Sequence, residues 1–358
     1  MDQAVVDLIM NGQGSGSAID RLLSVGGDPG ALRPWIGNDG RPYMTVNQRG
    51  KPVSVPLVNA TATLRKDAWK TLDAAVVKAA KPRLKAVADL RGAGLVLNIP
   101  QGMGKTILET ETQSDISAAD ISMDGLTNST ADRPIFELSA LPLPLIHKDF
   151  HFSMRQVLAS RNSGSPIDTT TAELAGRRVA ETAEQLLLGT AGAFAYGGNS
   201  IYGYTTFPSR LTKTMTAPTA SGWTGATFIA EILAMRDQCT AAYHFGPYKI
   251  YTSLAWDAYL DADYSVSKGM NTLRQRVEAI NGFTGVDTLD YLSTDGSFVV
   301  IMVQQTTNVV REVIGMDITT VQWETHGGMR VNFKVMAIMT PQLRADQNDN
   351  TGIVHGTT

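Results

Sequence analysis

Glycine and proline punctuate the first 58 residues so densely that no long helix can form there. Gly12-Gln13-Gly14-Ser15-Gly16-Ser17 and Gly26-Gly27-Asp28-Pro29-Gly30 are followed by Arg33-Pro34, Arg41-Pro42 and Lys51-Pro52. Proline lacks an N–H and fixes φ, and glycine opens positive φ, so this stretch is confined to extended chain and turns. Yet it carries Leu32, Trp35, Ile36, Tyr43, Val53 and Leu57, too apolar for a solvated linker. The reading is an arm, residues 1–60, that becomes ordered by lying on something else.

The rest of the chain is patterned. Leu64, Ala68, Leu72, Ala75, Val76, Ala79, Ala80, Leu84 and Val87 recur at helical spacing, which predicts a helix over 61–91. Pro82 should kink or break it, and Gly92 and Gly94 end it. Residues 104–140 turn to Thr, Ser and Asp and read as a long β-hairpin, with strands at Thr106–Thr112 and Pro134–Leu138. Leu141–Phe152 reads as one strand, because Pro142 and Pro144 forbid a helix start. Asp168–Gly189 is the strongest helix, with Thr170 and Glu173 placed as a capping box. Gly192–Gly203 is a glycine-rich loop. Beyond Trp223, helices are predicted at Phe228–Cys239, Leu254–Leu260 and Asn271–Ile280. Tyr248–Thr252 is a strand, Phe298–Val303 a buried strand, and Val331–Met339 alternates as a half-buried one. The polar residues after Pro341 are expected to be a loose tail. The class is α+β.

Charge is divided unevenly between neighbouring segments. Residues 61–91 hold eight Lys or Arg against three Asp, and residues 106–134 hold six acids against one Arg. An acidic hairpin therefore follows a basic helix. The whole chain has a formal net charge of −3, which is not the balance of a dedicated nucleic-acid binder. Charged residues are 18%, below the usual ~25%, as expected of a chain that covers much of its surface with partners.

Catalytic chemistry finds little support. Gly102-Met103-Gly104-Lys105-Thr106 imitates the end of a phosphate-binding loop, but the first glycine of that pattern is replaced by Ile99, and a strand follows where a helix is needed. His147, Asp149 and His151 share one strand face and could ligate a metal or relay a proton. A polar face at a subunit contact is the plainer reading. There is no nucleophile elbow, dinucleotide fingerprint or calcium loop. Glu181 and Glu184 share a helix with Arg177 and Arg178, in reach of ordinary pairing. Trp69, Trp223, Trp256 and Trp323 read as core or interface anchors. Cys239 is the single cysteine, so no internal disulfide forms and folding in a reducing cytoplasm is expected. No signal peptide, membrane span, cofactor or metal site is expected.

From Leu141 the chain resembles a known family. Leu141-Pro142-Leu143-Pro144-Leu145-Ile146-His147-Lys148-Asp149-Phe150-His151-Phe152 is similar to the strand entering the peripheral domain of encapsulin shells and related phage capsid proteins. Arg161, Ile167-Asp168 and the helix bearing Arg177 to Glu184 follow, then Leu188-Gly189 and Ile201-Tyr202-Gly203-Tyr204. Gly246-Pro247-Tyr248-Lys249-Ile250-Tyr251 resembles the strand opening the axial domain, and Thr272 to Val277 the helix after it. Asp317-Ile318 and Phe333 to Pro341 resemble the closing strands. The likeness spans roughly 61–345.

The resemblance implies the Hong Kong 97-type capsid fold and a phage major capsid protein, a shell subunit and not an enzyme. A cargo-housing encapsulin-like compartment is the alternative. It implies an N-terminal arm (1–60), an N-terminal helix region (61–102) and an extended loop (103–140). A peripheral domain (141–222 with 305–345), an axial domain (223–304) and a tail (346–358) complete it. Glu109, Glu111, Asp115, Asp120 and Asp124 would then contact a neighbouring subunit. Lys70, Lys78, Lys81, Arg83 and Lys85 would face packaged double-stranded DNA. The implied partners are further copies in hexamers and pentamers, and portal, scaffolding and decoration proteins, with no membrane. The location is the virion, after assembly in the bacterial cytoplasm. Residues 112–130 contain no lysine, so covalent crosslinking from the loop tip is not expected. A start at Met1 leads us to expect no cleaved scaffold segment.

Overall fold

A computed structural model describes residues 28–48, 51–57, 64–114, 116, 118–123, 133–163, 169–264, 271–293, 296–326 and 329–358. Two sheets organise it. The first runs in the order Val96–Asn98, Val310–Thr325, Arg330–Leu343, Ile146–Ser153. Its two long strands pair antiparallel from Val310↔Leu343 to Thr325↔Arg330, with register shifts around Met316. Phe150, Phe152 and Phe333 meet on one face, with ring centroids 5.2–5.7 Å apart. Burying each such ring contributes about 1.5–3 kcal/mol.

The helix Thr170–Leu188 and the helix Lys66–Ala80 pack over that aromatic face. Trp69, Leu72, Val76 and Ala80 form the buried stripe of the latter. Pro82 acts as expected: a 3-10 turn, Lys81–Arg83, interrupts the helix, which resumes as Lys85–Gly92. Thr170–Leu188 ends at Gly189, whose φ of +85° is the left-handed cap. The Thr170/Glu173 capping box does not form. Thr169 holds the cap position, without a side-chain cap bond, and its hydroxyl meets Glu173 Oε1 at 3.1 Å.

The second sheet runs Leu211–Thr214, Ile353–Thr357, Val299–Gln304, Tyr248–Ser253, Phe283–Leu289. Val299–Gln304 is buried throughout. One face packs on Phe228, Ile232, Met235 and Cys239 of the helix Gly225–Ala241, and the other joins the core of the first sheet. That double cover explains its unbroken apolar run.

Four expectations are corrected. Residues 141–152 are not one strand: Phe136–Pro142 closes the hairpin, and Ile146–Ser153 joins the first sheet after a break at 143–145, where Pro144 cannot donate. The 331–339 strand is not half-buried, because the hairpin base, with Leu108, Leu141 and Leu143, covers its second face around Met336 and Ile338. The glycine-rich loop is a small hairpin, Phe194–Tyr196 with Asn199–Ile201, turned at Gly197-Gly198 with both φ positive. Residues 346–358 are not a loose tail: Thr351, Ile353 and Val354 are fully buried and Ile353–Thr357 is a middle strand.

The described part of the arm lies on its own chain. Pro42–Gln48, Lys51–Pro56 and Trp35–Ile36 form a sheet with Leu64–Arg65. Trp69 Nε1 donates to Pro34 O at 3.1 Å, and the Arg33 guanidinium sits 4.7 Å from the Trp69 ring while pairing with Asp73.

Candidate functional site

The acidic hairpin is a two-stranded ribbon, Ile107–Gln113 paired with Phe136–Pro142 from Ile107↔Pro142 to Gln113↔Phe136. Side chains alternate between faces, so the ribbon has two unlike surfaces. Glu109, Glu111, Leu138 and Phe136 share the outer face. All four are exposed, with Phe136 at 58% and Leu138 at 65%. Thr110, Thr112, Ser139 and Leu141 share the inner face, where Gln342 Nε2 donates to Thr110 Oγ1 at 3.1 Å. Beyond the ribbon, Ile121 and Met123 are fully exposed, and Ile116 and Ile135 largely so. Contiguous exposed apolar patches are where partners bind, and singly exposed apolar residues are ordinary. Asp120 is exposed there; Asp115 and Asp124 lie outside the described residues. Among the described residues Glu109 and Glu111 have no cationic partner.

The five basic candidates divide. Lys70, Lys78 and Lys81 are exposed, without an ion-pair partner among the described residues. Lys78 lies opposite the Trp69–Leu72–Val76 stripe, and Lys70 flanks it. Arg83 is half-buried, with Nη1 2.8 Å from Asp290 Oδ2 and Nε 3.6 Å from Glu181 Oε1. Lys85 Nζ lies 3.4 Å from Asp290 Oδ1. These two tie the basic helix to the loop after Phe283–Leu289, so their charge is partly neutralised within the chain.

His147, Asp149 and His151 do share the exposed face of Ile146–Ser153. They do not converge. His147 Nδ1 is 3.8 Å from Asp149 Oδ1, Lys334 Nζ is 3.5 Å from the same oxygen, and His151 Nδ1 meets Arg330 Nη2 at 2.9 Å. Among the described residues no group of three His, Cys, Asp or Glu side chains is placed to hold a metal. Gly102–Gly104 is a 3-10 turn leading into a strand, so no helix N-terminus stands ready for phosphate.

The structure adds a group that pairing rules missed. Glu184 is buried, and instead of meeting an arginine it accepts from Ala86 N at 2.6 Å and Val87 N at 3.2 Å, capping Lys85–Gly92 from another helix. Desolvation pushes its carboxyl up to about 7. Glu312 on the long strand is also buried, pushed up to about 8 by desolvation, and among the described residues its Oε2 has no hydrogen-bond partner. Two helically or alternately spaced acids give no sequence sign of this, because the partners are backbone amides of a distant segment.

A model of a family of unknown function (DUF6260) matches residues 59–356. The chain belongs to that family. No curated protein matches this DUF6260 chain by sequence. Solved structures do match by shape. A virus-like particle from Pyrococcus furiosus is 16% identical with a TM-score of 0.57, the match covering 80% of this chain and 98% of that one. Mycobacterium phage Bobi is 14% identical at 0.55, covering 75% and 89%. The capsid of Myoviridae phage XM1 is 9% identical at 0.54, covering 71% and 86%. The fold of this DUF6260 chain is therefore the Hong Kong 97-type capsid fold. Among the described residues no helix is long and apolar enough to cross a membrane.

Proposed function

We propose that this chain is the major capsid protein of a tailed bacteriophage, a structural subunit and not an enzyme, which assembles into an icosahedral shell around double-stranded DNA. The observation that carries the reading is the ribbon at 107–142, which sets exposed Phe136 and Leu138 beside unpaired Glu109 and Glu111. A soluble monomer gains nothing from such a projection, whereas a lattice buries it. The fold shared with phage capsids agrees with this reading.

In this reading the peripheral domain is 141–222 with 305–345, joined by the strand Val96–Asn98. The axial domain is 223–304, and its sheet recruits Leu211–Thr214 from the peripheral stretch and Ile353–Thr357 from beyond it. Lys70, Lys78 and Lys81 face the interior and moderate repulsion from DNA through sequence-independent, salt-sensitive contacts. Further copies in hexamers and pentamers are the main partners; portal, scaffolding and decoration proteins are the others. Assembly takes place in the bacterial cytoplasm.

The likeness to the Pyrococcus furiosus particle favours a second reading, a protein compartment without a genome. Purified particles separate the two. Genome-sized shells that carry the infecting phage's DNA support the capsid, and small shells with protein cargo and no nucleic acid support the compartment.

A further inference from the structure

The inner face of the second sheet joins the core of the first, and polar groups are buried in that joint. Glu312 comes from the strand Val310–Thr325 of the first sheet and is 1% exposed. Tyr204 is fully buried, and among the described residues its hydroxyl, like Glu312 Oε2, has no hydrogen-bond partner. Burial first, then the charges of Glu312, Glu184 and Asp89, hold that hydroxyl well above the usual phenol range, which puts all three carboxyls within electrostatic reach of it. Tyr251 of the second sheet stacks on Tyr204 with ring centroids 6.1 Å apart and donates to Asp89 Oδ2 at 3.1 Å. Lys249, on the same strand, places Nζ 3.6 Å from Asp89 Oδ2 and 2.5 Å from Asp287 Oδ2. Asp89 thus ties the helix Lys85–Gly92 to the second sheet, and Glu184 ties it to the helix Thr170–Leu188.

The cations around the joint are already engaged. Lys249 serves Asp89 and Asp287, Lys85 lies beside Asp290, and Arg91 Nη2 is 3.0 Å from Asp317 Oδ1. Glu184 has its two backbone amides. Among the described residues Glu312 has no ion pair. A neutral carboxylic acid suits such a place, whereas a carboxylate facing Glu184, Asp89 and a phenol in apolar surroundings does not. Desolvation, opposed by the charge of Arg91 and aided by that of Glu184, pushes the Glu312 carboxyl up to about 8. The helix Lys85–Gly92 packs on the strand that carries Glu312. At eight residues it is too short to persist without that packing.

We propose that Glu312 makes this joint a proton-controlled latch: as a neutral acid it lets the helix Lys85–Gly92 lie closed between the two sheets, and on ionising it releases that helix from them. Release gives the carboxylate water and breaks the Asp89 links to Tyr251 and Lys249, while both sheets keep their own ladders. In the released form the carboxyl returns to near 4.5. Between that value and about 8 the released form holds one proton fewer, so its population grows by about tenfold for each pH unit and levels off above. The helix Lys85–Gly92 touches both sheets, so the latch governs how firmly one is held to the other.

Hydrogen exchange of the full, unassembled chain tests this, read by mass spectrometry and corrected for the intrinsic pH dependence of amide exchange. From pH 6 to pH 8 the amides of Lys85–Gly92 are expected to exchange at least about tenfold faster after correction. Those of Gly225–Ala241, packed on the other face of the second sheet, should hold their rate. Glu312→Gln keeps the shape of the side chain and cannot ionise, so its rise should be several-fold smaller. Thermal melting at pH 6 shows whether that amide is accommodated. A variant that melts at or above wild type supports the latch, and one that melts far below makes the carboxyl a packing element and overturns it. A wild-type rate that is level across the window also overturns it. So does a rise shared equally by Gly225–Ala241, which would mean global unfolding, or a Glu312→Gln chain that rises as steeply as wild type.

Discussion

Glu184, on the helix Thr170–Leu188, accepts a 2.6 Å hydrogen bond from the backbone N–H of Ala86 in the first turn of Lys85–Gly92. With the second bond, from Val87 N, a side chain of one helix caps another across the core. The helix Lys85–Gly92 has no side-chain cap from its own N-cap residue, Leu84. Its orphan amides depend on Glu184.

Removing that cap should therefore be costly. Glu184→Ala leaves two buried N–H groups unmet and should destabilise the subunit by about 2–6 kcal/mol, the sum of two buried donors at about 1–3 each. Glu184→Gln keeps one acceptor and should cost about half as much. Urea denaturation of the unassembled subunit, with equal m-values, checks the order of the three proteins.

The buried acids also set a pH dependence. Desolvation raises Glu184 from 4.5 to about 7 and Glu312 from 4.5 to about 8. The folded chain then keeps protons that the unfolded chain releases. Their contribution is full below about pH 4.5, declines as pH rises through 7 and 8, and is flat above. His355 acts on the other flank: burial lowers it from 6.5 to about 4, so stability is lost as pH falls through that range. Between pH 6.5 and 8.5 only the acids act among these three, and stability should fall by a few kcal/mol. Glu312→Gln should flatten that fall. A wild-type curve that is level or rising over this window would refute the assignment.

Gly189 and Gly203 meet where the long helix ends. A Cβ on Gly203 would stand 2.2 Å from Gly189 N and 2.6 Å from Leu186 O, both backbone atoms that cannot step aside. Gly203→Ala should destabilise by about 1–3 kcal/mol through overpacking, read as a lowered melting temperature.

The exposed lysines are separable from the paired basic residues. Lys70→Glu, Lys78→Glu and Lys81→Glu together should lower DNA retention and flatten the salt dependence of DNA binding by about 0.9 for each phosphate no longer neutralised. Changing Arg83 or Lys85, whose charges meet Asp290, should instead loosen the subunit with a smaller effect on DNA. Filter binding across a salt series and thermal melting separate the two behaviours.

The sequence carried what local chemistry decides. Pro82 interrupts its helix, Gly189 ends its own, and the Thr/Ser/Asp stretch after Gly104 pairs as a hairpin, because each follows from backbone preference. What it hid is long-range. Ile353-Val354-His355 is a short apolar run in a polar tail and becomes a strand only because Leu211–Thr214 and Val299–Gln304 leave a gap between them. The alternation of 331–339 announced one exposed face, and the hairpin base then covered it. The hairpin was legible as an acidic segment, and Glu109 and Glu111 lie exposed on it. The groove under the hairpin's inner face, lined by Thr110, Asn199 and Arg344, was not, since its walls come from segments far apart in the chain.

Electron microscopy of the full chain, purified after expression alone and with its neighbouring genes, tests the central claim most directly. The account predicts closed icosahedral particles in at least the second preparation, built from this chain. A folded protein that stays monomeric in both would contradict it.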